Sequence, residues 1–203
     1  MIKNIIFDFG DIFINLDKEA TYREMAKLGV TDISSDMIAT YYKYEMGLLT
    51  TNEFISFYKN KFPTIQKEAL INAWNAILLD FPLERLSFLK ALKASKKYRL
   101  FLLSNTNDLH ISWIQNDWGM KLYHEFKDCF EKFYLSHEIH FRKPNRNIYE
   151  FVLKENDLMA SETIFIDDTQ ENTDAAKELG IHTWNLLPKE EVTDLLNRKE
   201  LLL

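Results

Sequence analysis

Three short apolar runs constrain this chain most strongly. Ile5-Ile6-Phe7, Arg99-Leu100-Phe101-Leu102-Leu103 and Thr163-Ile164-Phe165-Ile166 are continuous rather than alternating. Runs of this kind suit strands buried on both faces, as in a parallel sheet covered by helices on either side. Weaker runs recur at Phe133-Tyr134-Leu135 and His182-Thr183-Trp184-Asn185-Leu186. Helical patterns lie between them: Pro82 to Lys93, Asn145 to Glu155, and Asn172 to Leu179 ahead of Gly180, which suits a left-handed C-cap. The alternation predicts an α/β fold, a three-layer, doubly wound, mostly parallel sheet.

One stretch breaks the rhythm. From about Asp17 to Asp80 only helices are predicted: Glu19 to Leu28 closed by Gly29, Asp36 to Met46 closed by Gly47, a segment opened by the capping-box pattern Thr50–Glu53, and Thr64 to Leu79. The expected organisation is an α/β core of residues 1–15 and 84–203 with a helical insert, residues 16–83, after the first strand. With 203 residues, 46% of them hydrophobic, the chain is long and apolar enough to bury a core and carry such an insert.

Function gathers at the carboxyl ends of strands in open α/β sheets. The first strand ends in Asp8 and the second in Ser104-Asn105-Thr106-Asn107; Arg142-Lys143-Pro144 follows the third, and the fourth ends in Asp167-Asp168. Acids packed together repel unless a cation holds them. Oxygen-only ligands call for a hard divalent ion, and Mg²⁺ is the expected cofactor. A carboxylate in such a place can act as nucleophile and form an aspartyl phosphate. A lysine and a hydroxyl supply charge and hydrogen bonds to a transferring phosphoryl group.

The segments Ile-Ile-Phe-Asp8-Phe-Gly, Leu-Ser104-Asn-Thr-Asn, Arg-Lys143-Pro and Phe-Ile-Asp167-Asp168 resemble, in order, the four motifs of the haloacid dehalogenase-like (HAD) hydrolase superfamily. The helical block resembles the cap that this superfamily inserts after its first motif. Leu-Ser-Asn-Thr-Asn-Asp-Leu-His110 and Arg-Lys-Pro-Asn-Arg-Asn-Ile-Tyr149 are similar to the branch that includes bacterial α-D-glucose-1-phosphate phosphatases. The resemblance implies an Mg²⁺-dependent phosphatase acting on a small phosphorylated metabolite, such as a sugar phosphate. It implies Asp8 as nucleophile and metal ligand, and the Gly10 carbonyl as a second ligand. Ser104, helped by Asn105, would bind phosphoryl oxygens, and Lys143 would neutralise nucleophile and phosphate. Asp168 would meet the metal directly and Asp167 through water. Phosphatases of the superfamily commonly carry a general acid two residues after the nucleophile; here that residue is Gly10, followed by Asp11. Proton donation to the leaving group is therefore left open.

His110, one helical turn after the Ser-Asn-Thr-Asn loop, is a candidate for a substrate contact or for a structural hydrogen bond. His137 and His140 lack the further ligands of a transition-metal site. Trp74, Trp113, Trp118 and the aromatic residues of the insert read as core, with Tyr42 and Glu45 as candidates to face the cleft. The net charge of −6 argues against a nucleic-acid partner, and no apolar run approaches a membrane span. Cys129, the single cysteine, fits a reducing compartment, and the short apolar start lacks a signal-peptide cleavage pattern, so a cytoplasmic protein is expected. Two other functions compete. One is a metal-independent 2-haloacid dehalogenase, for which the Asp167-Asp168 pair has little use. The other is a non-catalytic binding protein on the same fold, which intact Asp8, Lys143 and Asp168 argue against.

Overall fold

The computed structural model describes residues 1–203, the side chain of Lys199 excepted. Five parallel strands form one sheet: β1 (Asn4–Phe7), β2 (Arg99–Ser104), β3 (Lys132–Leu135), β4 (Thr163–Asp167) and β5 (His182–Asn185), in the order β3-β2-β1-β4-β5. The chain winds outward from β1 in both directions, so the topological switch point lies at the carboxyl end of β1. There Phe7 pairs with Leu102 on one side and Ile166 on the other, which brings Asp8, Ser104 and Asp167 to one rim.

The apolar runs are continuous because both faces are covered. Ile5, Phe7, Leu100, Leu102, Ile164 and Ile166 point into one cluster, against α5 (Leu83–Ala94) and α6 (Asp108–Lys127). The residues between them, Ile6, Phe101, Leu103 and Phe165, pack on the opposite face against α8 (Arg146–Glu155) and α9 (Gln170–Lys177). The strand period of two thus sorts one apolar run into two cores.

The insert holds α1 (Ala20–Lys27), α2 (Ser35–Glu45), α3 (Thr51–Lys61) and α4 (Lys67–Asn75), around its own cluster of Met25, Met37, Tyr44, Phe54, Tyr58 and Trp74. The Thr50–Glu53 capping box forms in full at the start of α3. The fourth insert helix is shorter than the predicted Thr64 to Leu79, because Leu78 leaves the helix to form an antiparallel bridge with Leu16 where the chain crosses back to the core. Insert and core also meet at Gly47, just after α2. Its φ is +64°, and a Cβ there would lie 2.0 Å from the carbonyl oxygen of His137 in α7 (Ser136–Ile139), so only glycine permits the approach. No helix among the described residues is long and apolar enough to cross a membrane.

Candidate active site

Asp8 extends β1 by one residue, its N–H donating to the Ile166 carbonyl at 2.9 Å, and this fixes its carboxylate at the switch point. Lys143 lies between two acids: its Nζ is 2.7 Å from Asp8 Oδ1 and 2.6 Å from Asp167 Oδ2. It is 1% exposed, so the ammonium is out of water and depends on both partners. The Asn105 amide places it. Asn105 Nδ2 donates to the Lys143 carbonyl and Asn105 Oδ1 accepts from the Lys143 N–H, both at 2.9 Å.

Asp167 is fully buried. Besides Lys143 it accepts from the Thr169 N–H at 2.8 Å, and Asn172 Nδ2 reaches both of its oxygens at 3.0 Å. Asp168 lines the cleft and pairs with Lys18, which follows β1 on the way into the insert and also lies 3.1 Å from Asp11. Ser104 has one long contact, from its hydroxyl to the Asn105 carbonyl at 3.5 Å, which leaves it able to donate to a bound group. Asp8, Gly10, Ser104, Asn105, Lys143 and Asp168 line a cleft of about 290 Å³ between core and insert.

The electrostatics of the three acids suit a bound cation. Burial pushes the Asp8 carboxyl up to about 8; Lys143 works against this, while Asp167 and Asp168 add to it. Burial raises Asp168 as well, against the pull of Lys18. Burial lowers the Lys143 ammonium, but Asp167 and Asp8 outweigh it and the net direction is up. One oxygen from each of Asp8, Asp167 and Asp168 lies within 4.8 Å of the others. This all-oxygen donor set fits a hard divalent cation such as Mg²⁺.

Asp11 does not join the residues lining the cleft. Its backbone is left-handed (φ 54°), and its Oδ1 accepts from the Leu16 N–H at 3.0 Å. At Gly10, an added Cβ would meet Leu16 Cδ1 at 2.6 Å, so a side chain there would require the Leu16 side chain to shift.

His110 lines the cleft, but neither ring nitrogen is free. Nδ1 accepts from Asn107 Nδ2 at 3.2 Å, and Nε2 donates to the Trp74 carbonyl of α4 at 3.3 Å. Burial lowers its pKa to about 4 from the usual 6.5. The unfolded imidazole takes up a proton near the upper value and the folded one only near the lower. Its contribution to stability is therefore complete above the upper value and is lost as pH falls through that window. Wild type is expected to lose up to about 3 kcal/mol more than His110→Asn between these limits. Parallel thermal-unfolding curves for the two proteins across the window would refute it.

Residues of the insert also reach the cleft. Glu45, the last residue of α2, and Tyr41, one turn earlier, both line it; Tyr42 instead lies under the Arg142 guanidinium, 4.1 Å from ring centroid to carbon. Lys18, Tyr41, Glu171 and Asn172 also line the cleft without having stood out in the sequence, since no motif or period marks them. His137 and His140 belong to no metal-holding cluster among the described residues.

The sequence pattern of the family described as haloacid dehalogenase-like hydrolase matches residues 5–186. The chain belongs to that family. Among its HAD relatives is the D-ribitol-5-phosphate phosphatase of Bacteroides thetaiotaomicron, 30% identical over 190 residues, 91% of each chain. A HAD family enzyme from Bacteroides thetaiotaomicron, crystallised with magnesium and inorganic phosphate, superposes with a TM-score of 0.83 at 34% identity, over 96% of this chain and 99% of the other. A predicted HAD-like family hydrolase from Porphyromonas gingivalis superposes with a TM-score of 0.84 at 28% identity, over 100% of this chain and 98% of that one.

Proposed function

We propose that the protein is a Mg²⁺-dependent phosphatase that hydrolyses a small phosphomonoester, a sugar or sugar-alcohol phosphate, through an aspartyl phosphate on Asp8. The observation that carries this reading is Lys143 held between Asp8 and Asp167 beside a third acid, Asp168. The likeness to a D-ribitol-5-phosphate phosphatase and to an enzyme crystallised with magnesium and phosphate supports it.

Asp8, Asp168, the Gly10 carbonyl and, through water, Asp167 would hold the cation. When bound, it would neutralise the acids and the phosphoryl oxygens. Asp8 Oδ attacks phosphorus, and the bond to the leaving oxygen breaks. Lys143 and the Ser104 hydroxyl hold the phosphoryl oxygens as charge moves onto them, and Asn105 keeps Lys143 in register. Water then attacks the aspartyl phosphate and releases phosphate. His110 forms the wall that joins the cleft to α4.

The direct test is phosphate release from a panel of phosphomonoesters and from 2-chloropropionate, with magnesium and with chelator. Magnesium-dependent phosphate release is expected. Halide release in chelator would select the dehalogenase reading, and no turnover of any kind would select the binding protein.

Asp167 is consumed by Lys143, Thr169 and Asn172, whereas Asp168 faces the cleft. Asp168→Ala is therefore expected to weaken magnesium binding more than Asp167→Ala, by roughly tenfold or more, in calorimetric titration. Equal affinities would count against the assignment.

With no side chain at Gly10 and Asp11 held by the Leu16 N–H, the leaving oxygen has no dedicated proton donor. Such a donor is worth roughly 10²–10⁴-fold. The rate is expected to fall steeply as leaving-group pKa rises, and to do so equally in Asp11→Asn. A wild-type dependence that is flat, and steepens in the variant, would make Asp11 the acid.

A further inference from the structure

The insert contributes to the cleft a charged residue that the phosphoryl chemistry does not use. Glu45 is 3% exposed and lines the cleft. Its Oε1 accepts from the Tyr41 hydroxyl and its Oε2 from Arg142 Nε, both at 2.7 Å. Its backbone carbonyl accepts from the Ser136 hydroxyl at 2.6 Å, and Ser136 Oγ in turn accepts from the Thr106 N–H at 2.9 Å. The end of α2 is thus tied to the loop after β2 and to the start of α7.

Arg142 immediately precedes Lys143. Its guanidinium stacks on Tyr42, and only Nε has an acceptor; among the described residues neither terminal nitrogen has a hydrogen-bond partner. Those two nitrogens carry four N–H donors in a planar fork on a side chain that lines the cleft. Both terminal nitrogens keep access to solvent, so they are available to a ligand that enters the cleft.

Charge decides which ligand. Three cations line the cleft, and each already has a carboxylate: Lys18 with Asp168, Lys143 with Asp8, Arg142 with Glu45. Arg142 keeps its carboxylate when a cation takes Asp8 and Asp168, because Glu45 lies outside that acid cluster, so the fork offers no net charge to a second anionic group. We propose that Arg142, neutralised by Glu45 and aligned by Tyr42, donates its terminal N–H groups to adjacent neutral hydroxyls at the end of the substrate distant from phosphorus. Arg142 is then a specificity residue and Glu45 the residue that sets its charge and angle. The substrate class is a neutral polyhydroxy phosphomonoester, as distinct from a bisphosphate or the phosphate of a sugar acid. This rests on the phosphatase reading above.

The experiment compares kcat/KM for ribitol 5-phosphate, an aldonic acid phosphate and phenyl phosphate in wild type, Arg142→Met and Glu45→Gln. Losing the fork is expected to lower the ratio of ribitol phosphate to phenyl phosphate by about 30-fold in Arg142→Met. Removing the Glu45 charge unmasks Arg142, so Glu45→Gln is expected to raise the ratio of aldonate phosphate to ribitol phosphate by about tenfold. If Arg142 and Glu45 only latch insert to core, all three substrates fall together and both ratios stay fixed, which overturns the proposal. A wild type that prefers the aldonate phosphate also overturns it. Failure of the phosphatase reading looks different: wild type would then release phosphate from none of the three.

Discussion

Asp8→Asn is expected to reduce phosphate release by roughly 10⁴-fold or more while leaving the fold intact. An amide cannot attack phosphorus to form an acyl phosphate, and it is a poorer ligand for a hard cation. The fold should survive because burial already pushes the Asp8 carboxyl up to about 8, toward the neutral form that asparagine imitates. Lys143 keeps its second partner, Asp167, at 2.6 Å. The variant should therefore unfold within a few degrees of wild type. It should show no phosphorylated protein by mass spectrometry after an acid quench, where wild type mixed with substrate shows a one-phosphate mass gain. Turnover above about one per cent of wild type in a pure sample would remove Asp8 from the nucleophile's role.

The second large effect concerns Lys143. Arg142→Met is expected to change selectivity, whereas Lys143→Met is expected to damage both chemistry and stability. Losing this ammonium removes a fixed charge from the phosphoryl oxygens, worth roughly 10³-fold in kcat. It also strands Asp8 and Asp167 beside each other with little access to water. Removing one partner from a buried ion pair costs about 3–5 kcal/mol. In magnesium-free buffer the variant should melt well below wild type. Two signs identify the cause. The deficit should shrink as pH falls, because protonated acids no longer need the ammonium. Added magnesium should raise the melting temperature more in the variant than in wild type, because the cation takes over the neutralising charge. Equal melting temperatures without magnesium would show that Lys143 does not hold the acids together.

Much of the site was legible because strands end where chemistry begins. A buried parallel strand needs an unbroken apolar run, so the first polar residue after each run marks the rim. Asp8 after Ile5-Ile6-Phe7 and Asp167-Asp168 after Thr163-Ile164-Phe165-Ile166 were readable on that ground, and Ser104 closes β2. The insert was legible for a different reason: helices announce their ends, as Gly29, Gly47 and the Thr50–Glu53 capping box do.

What linear order could not carry were partnerships across the fold. Nothing in the sequence joins Glu45 to Arg142, 97 residues apart, or Lys18 to Asp168, 150 apart. The role of His110 was open in the sequence, and packing against Trp74 of the insert occupies both ring nitrogens. Asp11 is one residue from the expected acid, yet the left-handed turn and the Leu16 N–H hold it elsewhere. Which residues carry charge, and at which strand ends they stand, follows from linear order alone, because apolar runs and their period are local properties. Which charges neutralise one another, and which donors remain free, depends on the folded arrangement, because Coulomb and hydrogen-bond energies follow distances that the fold alone sets.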